Sequence, residues 1–267
     1  MDSIYNVIII TSGLCLGSFF NVLIWRIPRG ESIAWPPSHC TGCGFKLKAY
    51  HNIPVLSFLF LRGKCCSCNA PISFVYPVIE IFTALGLIII WKLSGFTFAH
   101  PWYQNIIPGL QIISLILLIP ISVIDIRHYI IPDRFTLPFL ALALALSFVP
   151  GHLSPAQSFL GALCGGGSLF LLGVIGTYVL KKGDAMGMGD VKLMAYLGAL
   201  WGAQTALIGI AFGAFFGSVA GGVMILTKKF DNNEHRIPFG PFLAAGTVLS
   251  VFAGEALLQA YLRLIGL

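Results

Sequence analysis

Eight long apolar stretches dominate the sequence and limit the folds that it can adopt. Most hold about 20 residues, the length that one helix needs to cross the hydrocarbon core of a bilayer. They span residues 4–25, 74–93, 107–125, 133–149, 155–180, 189–203, 204–227 and 238–262. Hydrophobic residues make up 57% of the chain and charged residues only 10%, which is too little polar side chain to cover a soluble particle. The sequence therefore predicts an all-α polytopic membrane protein with about eight transmembrane helices.

The basic residues indicate how these helices are oriented. If the N-terminus lies outside, all 16 Lys and Arg residues except Lys92 and Arg263 fall into four inner loops. Inner loops of membrane proteins carry an excess of Lys and Arg. We therefore expect both termini outside. The formal net charge of +6 then reflects topology, and no nucleic-acid partner is expected.

The first inner loop, residues 26–73, contains two C-x-x-C pairs. They are Cys40-Thr41-Gly42-Cys43 and Cys65-Cys66-Ser67-Cys68. Two such pairs are typical of a structural zinc site, in which four thiolates complete a tetrahedron. Two disulfides are the alternative, but they are rare in a reducing cytoplasm. We expect zinc on Cys40, Cys43, Cys65 and Cys68, with Cys66 as a spare thiol and His39 as another available ligand.

Two aspartates stand at the inner ends of apolar stretches. Asp125 ends the third stretch and Asp190 opens the sixth, so the topology places both at one membrane face. Because a charge at membrane depth is expensive, such residues are usually functional. A carboxyl pair that shares a proton offers an acid and a base together. The alternative is that each aspartate lies among lipid headgroups, where it caps a helix or pairs with Arg127 or Lys192.

Three further residues near these aspartates have an interpretable position in the sequence. Gly187 and Gly189 precede Asp190 and leave backbone free of side chains, so a substrate can lie close to it. Asp133 follows Pro132, which is typical of a helix start.

Several segments match one family in order along nearly the whole chain. They are residues 17–28, beginning Gly17-Ser18-Phe19, then 40–43, 52–57, 65–73, 76–80, 125–133, 187–192 and 237–242. The segment 187–192 contains G-x-G-D, which other intramembrane aspartic proteases share, but the complete ordered set is specific. On these motifs the chain resembles the bacterial type IV prepilin peptidases, which combine leader peptidase and N-methyltransferase activities.

The resemblance implies a mechanism and a location. Asp125 and Asp190 would be the catalytic dyad, and the four paired cysteines would hold zinc. The substrates would be type IV prepilins and type II secretion pseudopilins, each with a short basic leader that is removed at the cytoplasmic face. The new N-terminal residue, usually Phe, would then be methylated from S-adenosylmethionine. The protein would lie in the bacterial inner membrane with both termini in the periplasm.

The resemblance also suggests domain boundaries. Residues 1–25 would form the first span, residues 26–73 the zinc loop, and residues 74–267 a membrane-embedded peptidase domain of about seven helices. Because the sequence lacks G-x-G-x-x-G, the methyl donor would need a site of another type. Glu80 is a weak candidate for that site, and an ion pair with an inner-loop base is its alternative role.

Three other functions remain open from the sequence. The chain could be a peptidase without methyl transfer, a polytopic transporter, or a zinc-loop scaffold without chemistry. A transporter should show ionisable residues near mid-span and an inverted repeat, and neither is visible. A scaffold would tolerate neutral residues in place of Asp125 and Asp190. The oligomeric state is not indicated.

Overall fold

The computed structural model describes residues 2–94, 96, 100–179, 186–227 and 237–264, where the regular secondary structure is helical apart from two isolated β-bridges. The α-helices of the described residues are α1 (Asp2–Arg26), α2 (Leu56–Phe60), α3 (Val75–Leu93), α4 (Ile106–His128), α5 (Asp133–Leu146), α6 (Pro155–Ala162), α7 (Ser168–Val174), α8 (Met188–Trp201), α9 (Ala203–Leu226) and α10 (Gly240–Leu264). Two π-helical turns, Leu163–Gly167 and Ile175–Val179, follow α6 and α7, respectively. The four elements together form one continuous helical segment, Pro155–Val179.

The prediction of an all-α membrane protein is confirmed, with fewer long helices than expected. All eight apolar stretches are helical, but within the described residues six helical segments are long and apolar enough to cross a membrane. They are Ser3–Arg29, Val75–Leu93, Tyr103–His128, Pro155–Val179, Ala203–Leu226 and Gly240–Arg263. The other two, α5 and α8, have 14 residues each. Such a helix is roughly 21 Å long, short of the roughly 30 Å hydrocarbon core.

Two of the predicted inner loops fall largely outside the described residues. These are residues 180–185 and 228–236, which include Lys181, Lys182, Lys228, Lys229 and Arg236. The predicted orientation therefore remains a prediction, as do the domain boundaries at residues 25 and 73.

The chain forms two compact units, Met1–Pro120 and Ile121–Leu267. In the first unit, α1 and α3 pack along much of their length. Their closest approach is at Gly13 and Gly17, where an added Cβ would lie 2.6 Å from the Cα of Ala84 and 2.5 Å from the Cα of Glu80, respectively. Small residues at a four-residue spacing permit such contact between helices in lipid.

The second unit is built around α8. This helix packs against α5, α6, α9 and α10, and its side chains Leu193, Met194 and Leu197 are buried. The π-helical turn Leu163–Gly167 also lies against α8, with Gly165 beside the backbone carbonyl of Met194. Because protein surrounds α8, this helix does not need the length of a lipid-facing span. Its first turn, which carries Asp190, is therefore held in place from several sides.

Candidate active site and metal centre

Asp125 lies in the last turn of α4, where the helix ends in a left-handed residue. Tyr129 has φ 56° and donates its N–H to the carbonyl of Asp125 at 2.8 Å, a hydrogen bond that closes the helix end. The side chain of Asp125 is buried, and its Oδ2 accepts a hydrogen bond from the backbone N–H of Gly240 at 2.9 Å. The start of α10 thus fixes one oxygen of this carboxyl group.

Asp190 lies in the first turn of α8 and is also buried. Its N–H donates to the carbonyl of Gly187 at 3.1 Å, and Gly187 itself is extended and precedes the helix. A Cβ added at Gly187 would lie 2.7 Å from Oδ2 of Asp190, so a glycine there leaves room for the carboxyl group. The N-terminus of a helix also favours a negative charge.

The structure brings Asp125 and Asp190 together. Their carboxyl groups lie close enough for a direct electrostatic interaction. Ile131 lies against Gly189, which precedes Asp190, and against Gly240, which bonds to Asp125: a Cβ on Gly189 would meet its Cβ at 2.8 Å, and one on Gly240 would meet its Cδ1 at 3.2 Å. Two acidic groups from separate motifs therefore share one buried site, as the sequence predicts from their common depth. Gly189 also has a packing reason to be glycine, beyond the predicted access for substrate.

Neither aspartate has a basic partner among the described residues. The ion pair found there joins Lys192 to Asp133, with Nζ 2.8 Å from Oδ1, and both side chains reach solvent. Lys192 thus engages the first residue of α5, which confirms Asp133 as a helix start. The alternative in which Lys192 or Arg127 neutralises a dyad residue has no ion pair to support it in this part of the chain. Two close carboxyl groups without a cation can share one proton.

The four-cysteine segment, residues 39–71, contains two turns of the same design. Gly44 donates its N–H to the carbonyl of Cys40 at 2.8 Å, and Asn69 donates to the carbonyl of Cys65 at 3.0 Å. Both donors are left-handed, with φ 70° for Gly44 and 57° for Asn69. Each turn is closed by an antiparallel bridge, His39 to Lys46 and Lys64 to Pro71. The two C-x-x-C pairs therefore present their sulfurs in equivalent ways.

The four sulfurs fit a tetrahedral metal site. The Sγ atoms of Cys40, Cys43, Cys65 and Cys68 all lie within 4.8 Å of one another, and those of Cys40 and Cys68 are 3.8 Å apart. A tetrahedral site with metal–sulfur bonds of about 2.3 Å has sulfurs about 3.8 Å apart, whereas a disulfide needs about 2.05 Å. All the described cysteines are free thiols. The cluster can thus hold a metal ion, and the disulfide alternative does not fit it.

The electrostatics of the cluster also favour a cation. Backbone N–H groups of Cys68 and Ser67 lower the pKa of the Cys65 thiol to about 6. The Ala70 backbone acts in the same direction on Cys68, but the Cys43 thiol and burial outweigh it and raise the pKa of Cys68. Sulfurs at this distance do not all ionise alone, and a divalent ion supplies the positive charge that four thiolates need. Cys66 is exposed, outside the cluster, at the position that corresponds to Thr41 of the first pair.

Glu80 lies in the second turn of α3 and is buried in the first unit. Its Oε2 accepts a hydrogen bond from the N–H of Val55 at 2.7 Å, and the Ser18 hydroxyl also bonds to its carboxyl group. Within the described residues no Lys, Arg or His lies within ion-pair distance of Glu80. The predicted alternative role, an ion pair with an inner-loop base, is therefore not seen there.

Sequence reasoning missed the residues that act through their backbone. Gly240 lies in the segment 237–242, which the resemblance marks without giving a role. Val55 lies in the segment 52–57 in the same way. Both donate an N–H to a buried carboxyl group, from 115 and 25 residues away in sequence. No side-chain chemistry signals such a donor, so motif membership was the available clue.

Comparisons with known proteins identify relatives of the chain. The model of the bacterial Peptidase A24 N-terminal domain matches residues 11–93, and that of the type IV leader peptidase family matches residues 112–226. A prepilin leader peptidase/N-methyltransferase from Bacillus subtilis (strain 168) is 33% identical over 255 residues, which cover 94% of this chain and 96% of that protein. The protein with that name from Pseudomonas aeruginosa is 32% identical over 281 residues, or 95% of this chain and 92% of the relative.

A third relative matches over less of its own length. The prepilin leader peptidase/N-methyltransferase of Myxococcus xanthus is 36% identical over 223 residues, which cover 84% of this chain and 64% of that protein. No solved structure matches the chain. The two family models together contain both aspartates, Glu80 and all four paired cysteines. The chain therefore belongs to the type IV leader peptidase family.

Proposed function

We propose that the chain removes the leader peptide from type IV prepilins and pseudopilins with Asp125 and Asp190 as its catalytic dyad. The observation that supports this most is the meeting of two buried carboxyl groups from separate motifs, with no cation paired to either among the described residues. Retaining two such groups together is costly unless their charge serves a reaction. The relatives carry the name of a prepilin leader peptidase, which supplies the substrate class.

The dyad would act by acid–base catalysis on water. One carboxylate accepts a proton from a water molecule as the water oxygen attacks the scissile carbonyl carbon. The other carboxyl group, protonated, donates its proton to the carbonyl oxygen. When the tetrahedral intermediate collapses, the proton taken from water passes to the leaving amine. A hydroxyl group of the intermediate returns a proton to the second carboxylate, so the pair recovers its starting state. The hydrogen bond from Gly240 to Oδ2 of Asp125 holds that carboxyl group in one orientation during both steps.

The membrane topology would bring the substrate to this depth. Both aspartates lie at helix ends, and the positive-inside rule puts those ends at the cytoplasmic face, with both chain termini in the periplasm. A prepilin has an apolar helix directly after its leader, so its scissile bond would lie at the same face. Gly187 and Gly189 lie beside Asp190, where backbone without side chains allows a substrate strand to approach.

The second activity would be methylation of the new N-terminus with S-adenosylmethionine as donor. The names of the relatives support this half, since they join the peptidase to an N-methyltransferase. When bound, the donor supplies an electrophilic methyl group. The paired cysteines, Cys40 with Cys43 and Cys65 with Cys68, would hold one structural Zn²⁺, because four protein thiolates leave no open position for a reacting water.

Cleavage of a purified prepilin tests the proposal. The full-length protein in detergent or lipid is compared with Asp125→Asn and Asp190→Asn, which keep the side-chain shape. Asp133→Asn is the matched control, because this exposed aspartate lies near the dyad but points to Lys192. We expect both dyad variants to fold and to cleave at least 10²-fold more slowly, the usual contribution of one acid–base group. Cleavage at the normal rate by either dyad variant would exclude that residue from the dyad.

A further inference from the structure

The first unit contains a cavity whose lining includes neither Asp125 nor Asp190. Residues of α1, α3 and the four-cysteine segment line a volume of about 620 Å³. This lies within the roughly 300–1,000 Å³ typical of small-molecule and cofactor sites. Its lining combines apolar side chains with polar and charged ones, including Ser18, Asn21, Arg26, His51, Tyr76 and Glu80. The guanidinium group of Arg26 donates to the backbone carbonyls of Ser32 and Pro36.

Glu80 gives this cavity a buried acid with neutral partners. Its carboxyl group receives hydrogen bonds from the Val55 N–H and the Ser18 hydroxyl, and the described residues place no cation within ion-pair distance. A buried carboxylate is costly unless a positive charge compensates it. Since the side chain lines open volume, a cationic ligand that enters the cavity can provide that charge.

The surroundings of Glu80 are fixed tightly enough to define a site. Val55, its backbone donor, is a β-branched residue with φ 61°, a conformation that such residues rarely adopt. Strained backbone of this kind persists where the surrounding contacts hold it, and it is concentrated at functional sites. On the other side, Gly17 brings α1 against the Cα of Glu80, and Asn21 donates from Nδ2 to the carbonyl of Tyr76 at 3.1 Å.

We propose that this cavity is the methyl-transfer site and that Glu80 binds the α-ammonium group of the newly cleaved substrate. The inference rests on the proposed N-methylation and locates it in the first unit. Apolar lining side chains such as Trp25 and Phe58 suit an aromatic first residue such as Phe. The remaining volume accepts the methyl donor beside the amine.

The direction of charge flow decides which cation Glu80 contacts. During methyl transfer, positive charge leaves the sulfonium sulfur of the donor and builds up on the accepting nitrogen. A carboxylate beside the sulfur would stabilise the ground state more than the transition state. Beside the nitrogen, it stabilises the charge that develops. Catalysis therefore favours contact between Glu80 and the amine.

Glu80 would also accept the proton that the amine must lose. The α-ammonium gives one proton to the carboxylate, so an N–H bond breaks and an O–H bond forms. The freed lone pair attacks the methyl carbon, a C–N bond forms, and the C–S bond breaks with its electron pair left on sulfur. The products are a thioether and a methylated ammonium, and Glu80 passes its proton to water.

Binding of a pre-cleaved peptide tests this assignment without the peptidase step. A peptide that begins with the mature Phe N-terminus is compared with its N-acetylated form on the full-length protein, on Glu80→Gln and on the control Glu255→Gln. In Glu80→Gln the amide oxygen can still accept from Val55, so the segment should remain in place. We expect the wild type and the control to prefer the free amine by roughly 10-fold or more, and Glu80→Gln to lose that preference. Binding of S-adenosylmethionine to Glu80→Gln should stay within about twofold of the wild-type value.

Other results would overturn the assignment in distinguishable ways. Loss of S-adenosylmethionine binding with unchanged amine preference would place Glu80 at the donor. If the wild type methylates the peptide and Glu80→Gln does so equally, the site is wrong while the proposed methylation stands. If the wild type does not methylate it at all, the proposed methylation itself fails. Failure of Glu80→Gln to cleave prepilin would indicate that the variant is misfolded. The test then uses the wild-type protein and a peptide with a photoreactive phenylalanine at position 1. Crosslinking of this residue to α1 or α3 supports the site, and crosslinking confined to the second unit overturns it.

Discussion

The contact between Gly240 and Asp125 offers a test in which a single methyl group moves a carboxyl group of the proposed dyad. In Gly240→Ala, the new Cβ would lie 2.8 Å from Oδ2 of Asp125 and 3.2 Å from its Cγ. Because non-bonded heavy atoms prefer about 3.5 Å or more, the carboxyl group must retreat by roughly half an ångström or more. It is the free end of a side chain, so it can rotate away without unfolding the helix.

The expected cost to stability is modest. Rotation of Asp125 breaks the 2.9 Å hydrogen bond from Gly240, in a buried place where water cannot replace it. Leaving one buried donor unpaired costs about 1–3 kcal/mol. Misplacement of a reacting group by about 1 Å costs about 10²-fold in rate. We therefore expect Gly240→Ala to remain folded and to cleave prepilin roughly 30- to 100-fold more slowly.

The assay compares cleavage rate at saturating prepilin with the midpoint of thermal unfolding. Gly222→Ala is the matched control, because Gly222 lies in the same unit as Gly240 and a Cβ added to it meets no atom within 4 Å. It should cleave normally, with stability unchanged or slightly raised, since Ala is the better helix former. If Gly240→Ala cleaves like the wild type, the carboxyl group does not need its observed position, and the proposed dyad geometry is refuted.

Three further outcomes are expected. Cys65→Ser should lose the bound metal, measured by elemental analysis of the purified protein, whereas Cys66→Ser should retain it; equal loss from both would refute the four-thiol cluster. Asp133→Asn breaks an exposed ion pair, so its midpoint of thermal unfolding should reflect a loss of only about 0.2–1 kcal/mol, with cleavage unaffected. Gly17→Ala, whose Cβ would meet backbone of α3 at 2.5 Å, should cost about 1–3 kcal/mol and slow methylation of a pre-cleaved peptide. In Gly86→Ala the Cβ would meet only the end of a side chain at 3.4 Å, and comparable damage there would contradict the close-packing argument.

The sequence predicted the features that depend on local composition or spacing. An apolar stretch is helical in a membrane because its backbone must bond internally, so all eight stretches form helices. The cysteine pairs are equally local, because each C-x-x-C turn closes within about seven residues. The predicted topology also assigns Asp125 and Asp190 a common depth, and the structure places both carboxyl groups in the second unit within electrostatic reach of each other.

The roles of the short helices could not be predicted in this way. Hydropathy measures how apolar a segment is but not whether lipid or protein surrounds it, so α8 looked like an ordinary span. Its place at the centre of the second unit depends on close contacts with glycines such as Gly161 and Gly165, which are far away in sequence. The same distance hides why Gly189 must be small, since Ile131 from another motif fills the space beside it.

Both proposed sites share a feature that explains why side-chain motifs describe them incompletely. In each unit a buried carboxyl group is oriented by a backbone N–H, from Gly240 for Asp125 and from Val55 for Glu80. The donor position must satisfy a geometric condition instead of a chemical one: Gly240 has no room for a side chain, and Val55 adopts a positive φ of 61°. An acid held by neutral donors keeps its charge available for a substrate, whereas an ion pair would already have neutralised it. This physical reason links the segments around residues 52–57 and 237–242 to function, although neither contains a side chain with obvious chemistry.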